Sequence, residues 1–262
     1  MRTRLDAELV RRGLARSREH AVDLIESRSV LVSGIPASKP ATQVDPETSI
    51  TLAGVRDDYV SRGGHKLAGA LDQLSEVKVS GRTCLDAGAS TGGFTDVLLK
   101  RGAKEVIAVD VGYGQLAWEL RQDSRVVVHD RTNIRSISPE IVGQKVDLIV
   151  ADLSFISLTL VIPALLSVAK PDADFLIMVK PQFEVGRDRL GAGGVVRDAA
   201  LRKEAVLAVA TCAHELGLGT LGVVASPLPG PSGNVEYFLW LKQGAPIISD
   251  GVLNEAIAKG PQ

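Results

Sequence analysis

The sequence predicts an α/β protein: a mostly parallel sheet wrapped by helices, its last strand antiparallel, behind a small N-terminal α+β module. Three observations carry this. From residue 83 onward, short β-branched apolar runs alternate with helical patterns, as in a parallel sheet covered on both faces. The last two apolar runs, GTLGVVASPL and VEYFLWLK, are joined only by PGPSGN, too short for a right-handed crossover, so they pair antiparallel. Residues 1–57 have their own helix and strand patterns, but too small a core for an enzyme alone.

The elements follow in order. In RLDAELVRRG, Leu5, Leu9 and Val10 form an apolar helix face, and Gly13 fits the left-handed residue just past the end. In SREHAVDLIES, Ser17 is placed to cap a second helix whose apolar face is Ala21, Leu24 and Ile25. VLVSG and SITLAG read as strands, with IPASKPATQVDPE as a proline-punctuated connection. Residues 58–63 are expected to link this module to a second domain, 64–262. Its strands are expected at 83–88, 106–111, 125–130, 146–152 and 175–180, with a long helix at 197–217.

Composition narrows the function little. The net charge of −1 gives no argument for nucleic acid, so any basic surface must arise locally. Cys84 and Cys212 have no metal-ligand spacing and read as reduced thiols. MRTRLDAELVRRG lacks an apolar signal core and no apolar run approaches a spanning helix, so a soluble, cytoplasmic protein is expected.

CLDAGASTGGFTD points to a cofactor. Strand, acid, glycine loop and helix follow one another, and in open α/β sheets ligands bind beyond the carboxyl ends of the strands. Gly88, Gly92 and Gly93 give GxxxGG where a dinucleotide pyrophosphate site reads GxGxxG, which disfavours NAD. S-adenosylmethionine has no phosphates and tolerates Asp86 beside the loop. Asp110 and Asp130 end the next two strands, placed for the ribose hydroxyls and the adenine edge. With Ser90, Thr91, Phe94, Val111, Arg131 and Asp152 they complete a candidate cofactor set and predict a Rossmann-like methyltransferase sheet.

The acceptor is read from the next strand ends. Base-amine methylation usually shows Asn/Asp-Pro-Pro-aromatic after the fourth strand, whereas here the chain reads DLSF; carbon-5 methylation needs a cysteine there. Asp152 instead meets Lys180 from the fifth strand, a pair suited to taking the proton of an alcohol.

SRGGHKLAGAL, LDAGASTGGF, ADLSF, VKPQFE and GNVEYFLW, in this order, resemble the FtsJ-type ribose methyltransferases. With RLDAELVRRGLARSREHAVDLI, VLVSG and KPATQV, which resemble an S4 RNA-binding domain, the chain is similar to the TlyA subfamily, whose members carry both hemolysin and rRNA-methyltransferase names. The resemblance implies a Lys-Asp-Lys-Glu tetrad at Lys66, Asp152, Lys180 and Glu236. It also implies S-adenosylmethionine as cofactor, 2′-O-methylation of cytidines in small- and large-subunit rRNA, and ribosomal subunits as partners; no His/Cys/carboxylate cluster suggests a metal, and the oligomeric state is left open with a monomer favoured. For the S4 module it implies RNA contacts from Arg4, Arg16, Arg18, Arg28 and Lys39, although residues 1–57 hold nine Lys/Arg against eight Asp/Glu. Phosphate contacts of this kind supply affinity and register rather than sequence choice. One departure is Arg28, where S4 modules commonly have glycine. EVGRDRLGAGGVVRD, 184–198, reads as a lid or a plain surface loop. A membrane-active toxin needs a long apolar or strongly amphipathic segment, which the sequence lacks.

Overall fold

The computed structural model describes residues 3–15, 17–45, 48–52, 59–230 and 232–260. It divides into two compact units, Met1–Asp57 and Asp58–Gln262.

In the first unit, β1 (Thr3–Arg4) runs into α1 (Leu5–Arg11), followed by α2 (Arg18–Glu26), β2 (Val30–Val32), β3 (Ile35–Pro36), β4 (Gln43–Val44) and β5 (Ile50–Leu52). β2 pairs antiparallel with β3 and β5, and β1 with β4. Leu5, Leu9, Ala21 and Ile25 are fully buried with Val30, while Val10 and Leu24 pack at the margin. The expected connection 35–47 thus contains two strands of only two residues, too short to show a period. Ser17 caps α2, its hydroxyl accepting from the His20 N–H at 3.1 Å.

Both helices end alike. Gly13, at φ +71°, donates to the Val10 carbonyl while Leu14 donates to Leu9. Arg28, at φ +57°, donates to Ile25 while Ser29 donates to Leu24. This is the two-bond helix stop that favours glycine at its left-handed residue. Arg28 therefore keeps the turn that glycine usually makes.

The second unit opens with α3 (Arg62–Gln73), so Arg62 and Gly63, expected in the linker, lie inside a helix. Then come β6 (Thr83–Ala87), α4 (Gly93–Lys100), β7 (Glu105–Val109), α5 (Trp118–Arg121), β8 (Val126–His129), α6 (Pro139–Val142), β9 (Val146–Ala151), α7 (Ile162–Val168), β10 (Ala169–Val179) and α8 (Pro181–Glu184). α9 (Ala199–Glu215), β11 (Leu218–Ala225), β12 (Tyr237–Gln243) and α10 (Asp250–Ala258) complete it. The seven strands lie in the order β11-β12-β10-β9-β6-β7-β8, with β12 antiparallel to both neighbours and the other neighbouring pairs parallel.

Alternate residues of each strand face opposite sides, so the sheet feeds two cores. Leu85, Ile107, Ile149 and Ile177 pack on one face with Leu165, Val206 and Leu253 from α7, α9 and α10. Cys84, Val106, Leu148 and Leu176 pack on the other with Leu67 and Leu71 of α3 and Phe94 and Leu98 of α4. β10 begins earlier than its apolar run, through exposed Lys170 to Asp172, and its Asp174 is buried, accepting from Arg82 (2.6 Å), Trp240 Nε1 (2.9 Å) and Lys242 (3.2 Å). From β6 the chain progresses to β7 and β8 on one side, then crosses to β9 on the other. That reversal leaves a crevice at the carboxyl ends of β6 and β9.

Candidate active site

The glycine loop after β6 is packed so closely that side chains are excluded. Gly88 is at φ +86°, and a Cβ there would lie 2.5 Å from the Asp152 carbonyl oxygen. At Gly92, φ +98° and first before α4, a Cβ would collide with the Leu120 side chain. At Gly93 it would lie 2.7 Å from the Gly64 backbone nitrogen and collide with the Ser61 hydroxyl. The loop is thereby held between the segment leading into α3 and the residue ending β9. It borders a cavity of about 290 Å³ lined by Gly88, Ser90, Thr91, Gly93, Phe94 and Asp152, together with Ser61, Arg62, Gly63 and Lys66.

The other expected cofactor residues stand elsewhere. Asp86 is wholly buried behind the loop, accepting from the Thr95 hydroxyl at 2.6 Å. Burial pushes its carboxyl up to about 7 against that hydrogen bond, and the nearby Asp152 and Asp110 charges push the same way. Asp110 accepts from the Ser90 N–H (2.8 Å) and the Gly112 N–H (2.7 Å), tying the glycine loop to the loop after β7. Val111 beside it is exposed. Asp130 pairs with Arg121 at 2.8 Å, which holds its carboxyl below the usual range, and Arg131 lies 4.2 Å from the Tyr113 ring.

Four residues expected to act together form two ion pairs. Lys66 of α3 meets Glu236, just before β12, at 2.5 Å, both side chains nearly sealed from solvent. Lys180, just past β10, meets Asp152, just past β9, at 2.6 Å without the alignment of a hydrogen bond, and donates to the Ser154 hydroxyl at 2.9 Å. A second cavity, of about 750 Å³, lies on the far side of Lys180. Lys180 and Ser154 line both cavities, Lys66 and Asp152 the first, and Glu236 the second.

Several residues of this second chamber carry no sign in composition or period. Phe155 is 90% exposed at φ +65°, its ring 5.1 Å from that of Phe183. Glu184 accepts from Ser157 Oγ (2.5 Å) and from the Leu158 N–H (2.9 Å), fastening the loop after β9 to α8. Asn234, buried, accepts from the Val196 N–H (2.9 Å) and donates to the Gly194 carbonyl (3.0 Å), fastening the 184–198 segment, which is therefore a wall of the chamber. Ser154 and Phe155 stand inside ADLSF and Asn234 inside GNVEYFLW, so position beside a strand-end carboxylate was the available signal. Ser90, Arg131 and Phe155 all combine a side chain with positive φ at the carboxyl edge of the sheet. Strained backbone of this kind concentrates at functional sites.

Among the described residues no cluster of His, Cys, Asp and Glu is arranged to hold a metal, and no helix is long and apolar enough to cross a membrane. Cys84 lies inside β6, where burial pushes its thiol up to about 12. In the first unit Arg4 and Arg18 both pair with Asp6 at 2.9 Å, Arg28 and Lys39 are exposed, and Arg16 lies outside the described residues.

Comparisons with known proteins agree with this architecture. The FtsJ-like methyltransferase family matches residues 59–243 and the S4 domain residues 3–50. The 16S/23S rRNA (cytidine-2′-O)-methyltransferase TlyA of Mycobacterium tuberculosis is 58% identical, over 99% of each chain. Hemolysin A of Brachyspira hyodysenteriae is 37% identical, over 89% of this chain and 97% of its own length. A solved hemolysin-named structure from Streptococcus thermophilus superposes with a TM-score of 0.83 at 36% identity, covering 98% of this chain and 95% of that one. A strand-end glycine loop, paired lysines and carboxylates beyond it and full-length kinship converge: the chain belongs to the TlyA family, an S4 domain followed by an FtsJ-like methyltransferase domain.

Proposed function

We propose that this chain methylates the 2′-hydroxyl of ribose in ribosomal RNA, using S-adenosylmethionine, with Lys66, Asp152, Lys180 and Glu236 as its working tetrad. The observation that carries this is the position of Lys180: its side chain lines both cavities and is held by Asp152 and Ser154. Likeness to the M. tuberculosis enzyme makes cytidines of small- and large-subunit rRNA the first substrates to test, on ribosomal subunits or free rRNA in the cytoplasm.

The smaller cavity fits the cofactor. Its glycine floor has room for no side chain and its wall carries the Asp152 carboxylate, which favours a cation. Ser90, Thr91, Gly93 and Phe94 would hold the amino-acid and adenosine portions, with Asp110, Val111, Asp130 and Arg131 toward the outer end. S-adenosylmethionine supplies an electrophilic methyl on a sulfonium.

The larger cavity receives the acceptor nucleoside, Phe155 and Phe183 offering ring faces to its base. Lys180, held by Asp152 and Ser154, would orient the 2′-hydroxyl toward the smaller cavity, where the bound cofactor would supply its methyl. With S-adenosylmethionine bound, its methyl would pass to that oxygen and its sulfur would keep the bonding electron pair, while the hydroxyl proton would go to the Asp152–Lys180 pair. Lys66 and Glu236 hold the ribose side of the site. Transfer of labelled methyl to rRNA from a strain lacking this chain tests the reading, with Lys180→Ala in parallel. Label on a ribose 2′-oxygen, lost in the variant, supports it; label on a base, or turnover untouched by the variant, overturns it.

A further inference from the structure

Asp6 is a carboxylate at the start of an RNA-binding module, a poor place for a negative charge beside a polyanion. Its surroundings explain it. Asp6 is 3% exposed, and all four of its acceptor positions are taken. Oδ1 accepts from Arg4 Nε at 3.1 Å and from the Ala7 N–H at 2.8 Å. Oδ2 accepts from Arg4 Nη2 and from Arg18 Nη2, each at 2.9 Å. These bonds, with burial opposing, hold its carboxyl far below the usual range.

The two arginines are in the opposite condition. Their side chains are 47% and 61% exposed. Arg4 commits one edge of its guanidinium to Asp6 and Arg18 a single N–H, so each keeps donors toward solvent. They come from different elements, Arg4 from β1 and Arg18 from the first turn of α2, twelve residues apart for Arg18 and two for Arg4 relative to Asp6. One buried oxygen therefore fixes the spacing of two exposed cations that the backbone alone leaves free to swing. Glu8 does something different nearby: it binds Arg11 and Arg12, and Arg12 is turned back onto the Thr48 carbonyl at 2.7 Å.

We infer that Asp6 is a positioning residue that organises Arg4 and Arg18 into a preformed two-pronged clamp for the phosphodiester backbone of RNA. The inference rests on the reading of the first unit as RNA-binding and deepens it. An arginine pair already ordered before binding loses less side-chain freedom when it grips phosphate oxygens. That benefit outweighs the unfavourable carboxylate charge, which is buried and neutralised by its two partners.

The two effects of Asp6 oppose each other, which makes the test decisive. Asp6→Asn removes one negative charge, so on bulk electrostatics alone rRNA binding tightens. With the clamp disorganised it weakens instead, by about three- to tenfold, and the salt dependence becomes shallower as a phosphate contact is lost. The measurement is the affinity of the full chain for unmethylated rRNA transcript across a salt series. It is run for wild type, Asp6→Asn, Arg4→Gln/Arg18→Gln and Arg4→Lys/Arg18→Lys, with S-adenosylmethionine affinity and α1–α2 amide exchange as folding controls. The lysine pair keeps the charge without the fork, so it remains informative if Asp6→Asn unfolds the module. Weaker binding by Asp6→Asn in a folded module, or by the lysine pair, supports the inference. If the glutamine pair weakens binding while neither Asp6→Asn nor the lysine pair does, the clamp is wrong and the RNA surface stands. If the glutamine pair changes nothing, the surface itself is wrong.

Discussion

The Lys66 ammonium lies 2.5 Å from a Glu236 carboxylate oxygen although 170 residues separate them in the chain. Lys66 faces the smaller cavity and Glu236 the larger, so this pair and the Asp152–Lys180 pair form the partition between two chambers. Glu236→Gln strands a buried ammonium, and losing one partner of such a pair costs about 3–5 kcal/mol. Urea unfolding is expected to show that loss, and methyl transfer to fall at least about 100-fold. Lys66→Met/Glu236→Gln is expected to recover much of the stability and none of the turnover.

Gly93 tests the cofactor chamber separately from the chemistry. Its φ is not positive, so strain from handedness is not the issue; the obstacle is the Gly64 backbone nitrogen and the Ser61 hydroxyl against any Cβ. Gly93→Ala must push the glycine loop or the start of α3 aside. Calorimetry is expected to show S-adenosylmethionine affinity weakened about tenfold or more, with rRNA affinity little changed; unchanged cofactor affinity sinks this placement.

Asp86 predicts a pH effect on stability. Its carboxyl is raised to about 7 in the folded chain, above its ordinary value near 3.8. Between those values the folded state holds a proton that the unfolded state has lost, so stability falls as pH rises from about 4 to about 7 and then levels. The loss is on the order of 4 kcal/mol. Asp86→Asn keeps an acceptor for Thr95 and is expected to flatten that decline, visible in unfolding midpoints at pH 5 and pH 8.

Arg28 separates stability from RNA binding in one residue. A side chain at φ +57° costs about 1 kcal/mol relative to glycine. Arg28→Gly is expected to slow amide exchange in the first unit by a corresponding margin, and to weaken rRNA binding if the guanidinium meets phosphate. Tighter packing with unchanged affinity would confine Arg28 to the turn.

The strands were legible because β7 to β9 are rich in valine and isoleucine and β6 runs into the acid and glycine loop, and the last antiparallel pair because only a short link joins it. Asp152 and Lys180 were legible as strand-end exceptions, Lys66 and Glu236 only through the resembling motifs. What sequence hid has physical causes. β10 begins with an exposed polar stretch, Lys170 to Asp172, and its buried Asp174 is satisfied by three donors from distant segments. Asp86 looked like a cofactor ligand because a strand-end acid reads the same whether it faces a cavity or, as here, Thr95. Arg62 and Gly63 looked like linker because two glycines weaken any helix pattern, yet the second of them, Gly64, packs against Tyr59 with no room for a Cβ. Glu184 and Asn234 act through backbone groups of remote loops, a pairing no local pattern encodes.

Asn234 gives the last prediction, since it joins the wall of the larger chamber to the segment that carries Glu236. Its amide grips Gly194 and Val196 while Glu236 follows two residues later. Gly193 and Gly194, both at positive φ, have no side chains to hold them in place. Two hydrogen bonds, one buried and one partly buried, therefore tie that part of the wall to Asn234, each worth about 1 kcal/mol. Asn234→Ala is expected to free the segment, seen as faster exchange of the Val196 amide, and to raise KM for rRNA several-fold. S-adenosylmethionine affinity should not move, because Asn234 does not line the smaller cavity. A fall in kcat with unchanged KM would place its effect on Glu236 instead, through the short segment they share before β12. A loss of cofactor affinity would mean that the two chambers are not independent, and that the partition of lysines and carboxylates transmits strain from one to the other.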